Sequence, residues 1–161
     1  MSEPQSSTQT HHGTLVFERT VPAPVSQVFA AFADPDERAR WGAPSDNTVL
    51  IYDAADFSIG GIDRFRCGSR NDPRYGGTTW YHDIVPGSRI VSTEKIEADG
   101  QSLGVSLNTV EFLPTAGQTR LKTTVQLTSL VGAEMVKGHE AGHNASLDNL
   151  VRYFTPAIRE N

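Results

Sequence analysis

Hydrophobic and polar positions alternate along most of this chain, and the places where the alternation breaks are where helices are expected. Between residues 14 and 21, Leu15, Phe17, Arg19 and Val21 take one side and Val16, Glu18 and Thr20 the other, a strand stopped by Pro22 and Pro24. Behind Ser26, a residue able to cap a helix, Val28, Phe29, Phe32 and Ala33 recur at helical spacing. Asp34-Pro35 then ends that helix and starts a second short one over residues 35–41, which stops before Gly42 and Pro44. Six runs rich in β-branched and aromatic residues follow, at 48–52, 61–67, 78–85, 89–96, 102–112 and 119–130. Turn residues separate them, among them Pro86-Gly87, Asp99-Gly100 and the stretch 114–117, so the pattern predicts seven strands in a meander. From Glu134 to Phe154, one helical face carries Met135, His139, His143, Leu147, Leu150 and Phe154, while Lys137, Asn144, Asp148 and Arg152 are turned away.

This order predicts an α+β domain in which a seven-stranded antiparallel sheet curves around a long C-terminal helix, with two short helices after strand one. A sheet wrapped around a helix encloses space, and the irregular stretch 68–77 (GSRNDPRYGG) is expected to form a mobile lip over it. There is no internal repeat or linker, so one domain spans residues 13–156, between an unstructured tail over 1–12 and a short one over 157–161. The tail histidines His11 and His12 carry no expected function.

Composition narrows the chemistry. The net charge of −5 comes without any Lys/Arg cluster, which argues against nucleic acid and anionic membrane as partners. One cysteine, Cys67, makes neither an internal disulfide nor a metal knuckle, and no apolar run reaches membrane-spanning length, so a cytoplasmic protein without membrane insertion is expected. Phosphate-binding and nucleophile-elbow glycine motifs are missing from the chain, which removes the main support for nucleotide hydrolysis and serine-hydrolase chemistry.

Four segments then carry a resemblance: VPAPVSQVFAAFADPDERARWGAP near the start, FSIGG at 57–61, DIVPGSRIV at 83–91, and the terminal GHEAGHNASLDNLVRYF. In this order they resemble the bacterial homologues of the heat-shock protein 90 ATPase activator, within the START (SRPBCC, birch-pollen-allergen-like) helix-grip superfamily. The resemblance implies a helix-grip fold and a cavity between helix and sheet that takes small apolar or amphipathic molecules. It also implies departures here: His143 stands where the family often has Trp, and Ser92 and Glu94 stand where aromatic residues are common.

Candidate chemistry follows from spacing and parity. The string His139-Glu140-Ala141-Gly142-His143 matches HExxH, in which two histidines one helical turn apart can share a metal. Gly138 and Gly142 weaken the helix and no third ligand follows, so no metal and no cofactor are expected, with His139 and His143 as the ligands if one binds. Taking Ile84, Ile90 and Ile96 as inward, alternation puts Trp80, His82, Ser92 and Glu94 on the inner face. His82 and Glu94 become diagonal neighbours and the candidate catalytic acid/base couple. The expected cavity lining is Phe29, Phe32, Trp41, Phe65, Cys67, Trp80, Ser92, Asn108, Phe112, His139, His143 and Leu147. The leading expectation is binding of a small lipophilic or polyketide-like molecule without chemistry, by a monomer or homodimer. The alternative is a cyclase, dehydratase or hydrolase using His82 and Glu94, and chaperone co-activation is the reading this short acidic chain supports least.

Overall fold

The computed structural model describes residues 8–156. The chain runs β1 (His11–Val21), α1 (Val25–Ala33), α2 (Pro35–Gly42), β2 (Thr48–Ala54), β3 (Ile62–Ser69), β4 (Asp72–Val85), β5 (Arg89–Ala98), β6 (Gln101–Thr115), β7 (Gln118–Ser129) and α3 (Glu134–Phe154). All strand pairs are antiparallel, in the order β1-β7-β6-β5-β4-β3-β2. Strands β2 to β7 form the meander; β1, separated from β2 by the two helices, closes on β7 instead, giving an α+β helix-grip architecture. Two hairpin turns, Asp99-Gly100 and Ala116-Gly117, have positive φ at both central residues, the conformation that matches the twist of the strands they join.

Several boundaries move from where the sequence pattern set them. His11 and His12, expected in a tail, begin β1 opposite Ser129 and Thr128; the rest of the two predicted tails, over 1–7 and 157–161, lies outside the described residues. The stretch expected as a mobile lip is the tip of the β3–β4 hairpin, since Tyr75, Gly76 and Gly77 pair with Cys67, Arg66 and Phe65. Ser26 does not cap α1, whose N-cap is Pro24 without a side-chain hydrogen bond. Asp34 does cap α2, its Oδ1 accepting from the Asp36 amide at 2.8 Å.

The core lies between the helices and the β1, β7, β6 side of the sheet. Phe17, Val21, Val28, Phe112, Leu121, Val125, Leu127, Leu147 and Leu150 are all buried there. Helix α3 packs on β1 and β7 and on α2. Asp148 is exposed as helical spacing predicts, while Asn144 is half-buried, and both accept hydrogen bonds from the Arg19 guanidinium of β1, at 3.0 and 2.9 Å. Ser146 and Asn149 donate to the backbone carbonyls of Gly42 and Ala43, both at 2.6 Å, fastening α3 to the end of α2.

On β4 the Phe65 ring lies over Gly77, where an added Cβ would come within 2.0 Å of it. Gly77→Ala therefore overpacks the inner face and is expected to lower stability by about 1–3 kcal/mol. Urea unfolding measures this, and an unchanged midpoint would mean that the ring moves aside freely.

Candidate functional site

Cross-strand register places a band of polar side chains across the middle of the sheet's inner face. Asp63, Thr79, Glu94 and Ser106 are successive partners on β3, β4, β5 and β6. The neighbouring row is Tyr81, Ser92 and Asn108. The Asn108 side-chain oxygen is buried without a hydrogen-bond partner. Glu94 hydrogen-bonds with Thr79, and burial pushes its carboxyl up to about 7, so a proton resides there near neutral pH. Cys67 shares this face; burial, with a smaller push from Glu94, raises its thiol to about 11, which leaves it protonated and a poor nucleophile.

At one end of the band stands a buried ion pair. Arg38 of α2 donates through Nη1 to Asp63 Oδ2 at 2.6 Å and to the Tyr81 hydroxyl at 2.7 Å. Tyr81 in turn donates to Asp63 Oδ2 at 2.5 Å, and the Asp56 amide donates to Asp63 Oδ1 at 2.8 Å. Asp63 is fully buried. The guanidinium lies over the Tyr52 ring, 4.5 Å from its centroid, and burial lifts the Tyr52 phenol to about 12.

Helix α3, packed on β1, β7 and α2, carries the two histidines of the HExxH string. His143 stacks on Phe17 with ring centroids 5.4 Å apart, and His139 lies 5.7 Å from His143. Burial lowers both imidazoles, His143 to about 4, so both are neutral at neutral pH. Two neutral imidazoles suit a metal, yet no group of three His, Cys, Asp or Glu side chains able to hold an ion gathers among the described residues. Between Met135, His139 and Ser146 on the same helical face lies Gly142, where an added Cβ would meet no atom within 4 Å. The glycine thus leaves open space beside the two histidines.

The structure separates the expected acid/base couple. A bulge between Tyr81 and Asp83 makes His82 the extra residue, so Ile84 still faces Ile90 while every position before the bulge changes side. His82 and Trp80 consequently lie on the outer face; His82 Nε2 is 2.7 Å from the Thr93 hydroxyl, and Trp80 is 37% exposed. Thr79 and Tyr81 occupy the inner positions in their place. Four of the residues expected to line a cavity instead pack on one another: Phe29 and Phe32 each lie 5.3 Å from Phe112, and Phe32 lies 4.8 Å from Trp41. Leu147 is in the core. Phe65, Cys67, Ser92 and Asn108 are on the inner face with Glu94, while His143 packs on Phe17 of β1 beside His139. A separate groove of about 780 Å³ opens between α2, β2 and the end of α3, and of the expected lining residues only Trp41 borders it.

Sequence reasoning missed Arg38, Asp63 and Tyr81. The parity that turns Phe65 and Cys67 inward also turns Asp63 inward, and Arg38 lies one helical turn before Trp41, so both had a readable signal. Tyr81 had none, because the bulge that selects it over Trp80 leaves no mark in the residue pattern.

Comparison with known proteins agrees with this architecture. The family described as "Activator of Hsp90 ATPase homolog 1-like protein" matches residues 22–155. The chain belongs to this family. Among solved structures it is similar to an uncharacterized protein from Rhizobium leguminosarum, at 29% identity and a TM-score of 0.81, covering 91% of this chain and 96% of that one. It is also similar to the Mll3558 protein from Rhizobium loti, at 32% identity and a TM-score of 0.78, covering 89% of this chain and 98% of that one. No curated protein matches the chain. No helix among the described residues is long and apolar enough to cross a membrane.

The raised Glu94 carboxyl has a measurable consequence. Its folded pKa lies above the usual 4.5, at about 7, so ionisation is disfavoured in the folded state. Wild-type stability falls on this account as pH rises between those two values, and the full penalty remains above them. Glu94→Gln should therefore raise stability by about 3 kcal/mol at about pH 8 and leave it unchanged at about pH 4. Thermal melts of both proteins across this range read the difference. An equal gain at both ends would mean that the carboxyl titrates normally.

Proposed function

We propose that the space between the inner face of β3 to β6 and helix α3 binds a small, largely apolar molecule held by a few polar anchors. Glu94 carries this reading. It is a carboxyl turned toward the interior, paired with no cation among the described residues and favoured in its acid form. Such a group is costly unless something uses it, and a neutral carboxylic acid in a low-dielectric site is a strong hydrogen-bond donor to a carbonyl or ether oxygen. Ser92, Ser106 and the unpartnered oxygen of Asn108 supply further polar contacts on the same face. Phe65 and the face of α3 around Gly142 supply apolar contact and room. Apolar walls with a small number of placed polar groups are the usual make-up of a small-molecule site.

A second reading, proton transfer to or from the bound molecule, is favoured by one observation: a carboxyl near 7 can both give and take a proton at neutral pH. It would rest on Glu94 without His82, which lies on the other side of the sheet. Loss of turnover in Glu94→Gln with ligand still bound would select this reading over binding alone.

Gly142→Leu tests the location. Leucine would fill the open space beside His139 and His143 while favouring helix by about 1 kcal/mol over glycine, so the melting temperature should hold or rise. Uptake of the hydrophobic dye 8-anilinonaphthalene-1-sulfonate, followed by fluorescence, should fall sharply. Undiminished uptake by a stably folded variant would place apolar binding elsewhere on the molecule.

A further inference from the structure

Arg38 is only partly used. Both of its hydrogen bonds leave from Nη1, one to Asp63 and one to Tyr81. The Nε and Nη2 groups are buried and have no partner, although the residue as a whole is only 8% exposed. These two nitrogens share one edge of the planar guanidinium, and their parallel N–H bonds form the fork that matches the two oxygens of a carboxylate. Leaving such donors unmade in the interior costs about 1–3 kcal/mol each, so an unfilled fork is unusual for a structural arginine.

Of the guanidinium's polar positions, that edge alone is left without a partner. Tyr52 covers a flat face of the guanidinium, and the Nη1 corner is taken by Asp63 and Tyr81. Asp63 does not need the fork: Arg38 Nη1, the Tyr81 hydroxyl and the Asp56 amide already supply it with three donors. The arginine is also tied to the polar row that carries Glu94. Asp63, its partner, is two strands from Glu94 in the same cross-strand row, or about 10 Å at the usual strand spacing.

We propose that the Nε–Nη2 edge of Arg38 receives a carboxylate from the bound molecule, so that the ligand is an apolar chain or ring system ending in a carboxylic acid. This rests on the binding reading above and adds its head group. Arg38 then has two roles: Nη1 holds α2 to the sheet, and the opposite edge orients the ligand, with its apolar part lying toward Phe65 and the open face of α3.

The test uses the full chain and three probes of equal chain length: dodecanoic acid, dodecanol and methyl dodecanoate, titrated by calorimetry below their aggregation concentrations. The acid should bind wild-type protein about tenfold or more tighter than the alcohol or the ester, the difference a charge-assisted bidentate pair supplies. Arg38→Lys keeps a cation for Asp63 and Tyr81 but has no fork, so the ratio of acid to alcohol affinity should fall toward one. Should that variant fold poorly, the Arg38 Nε–H resonance of the wild-type protein gives the same reading, shifting with the acid and staying still with the alcohol. Equal binding of acid and alcohol, a preference that survives Arg38→Lys, or an Nε–H resonance indifferent to the acid would each overturn the carboxylate assignment and leave the binding reading standing. Failure of all three probes to bind would overturn both.

Discussion

The hydrogen-bonded ion pair of Arg38 with Asp63 and Tyr81 is the interaction on which the arrangement of this domain depends. A buried pair of this kind adds little net stability over an apolar substitute, because desolvating both charges offsets most of their attraction. Its effect is on position. Asp63 lies on β3 and Tyr81 on β4, so one side chain from α2 pins that helix across two strands at once. Helix α2 then holds α3 through the Gly42 and Ala43 carbonyls and through the Glu37 carboxylate, which accepts from the Tyr153 hydroxyl at 2.8 Å. Arg19 fastens the other side of α3 to β1. The long helix is thus clamped at two flanks, to α2 on one side and to β1 on the other.

That division also sorts the inner face by polarity. Toward β1, β7 and the far end of β6 it is Phe17, Val125, Leu121 and Phe112, covered by α1 and α3. Toward β3, β4 and β5 Asp63, Thr79, Glu94 and Ser92 share the face with Phe65 and Ile90, and Arg38 of α2 reaches onto it. The two titratable groups on either side of the space respond to burial in opposite senses. Glu94 is raised toward 7 and His143 is lowered to about 4, and each shift favours the uncharged form. Between these values the interior carries neither charge, a condition that suits an apolar guest. On acidification, protonation of His143 removes stability from about 6.5 downward to about 4, while protonation of Glu94 restores some over an overlapping range.

The strand and helix order was readable from periodicity because most strands here keep one face buried, which makes the period of two strong. Phe65, Cys67, Ser92, Asn108 and Phe112 followed from that parity, and the Asp34-Pro35 boundary from capping chemistry. The site was less legible for a specific reason. One inserted residue in β4 reverses the side of every residue before it, so His82 and Trp80 exchange places with Tyr81 and Thr79 while Ile84 stays where alternation put it. A parity argument counted from a single anchor cannot detect such a change. The aromatic residues Phe29, Phe32 and Trp41 were likewise ambiguous, since the spacing that lines a cavity also packs a core, and here they pack against Phe112.

The HExxH string shows how the same residues take a different meaning in this fold. In a metal site the two histidines need a third donor from elsewhere in the chain, and among the described residues no group of three His, Cys, Asp or Glu side chains gathers. What the segment does supply is shape. Gly138 and Gly142 reduce helix propensity, a cost of about 1 kcal/mol each against alanine, and at Gly142 the saved volume lies on the face shared with His139 and Ser146. His143 meanwhile uses its ring as a flat apolar surface against Phe17. The glycine that weakens the metal reading is therefore the residue that the binding proposal uses: a side chain there would occupy space that is open beside His139.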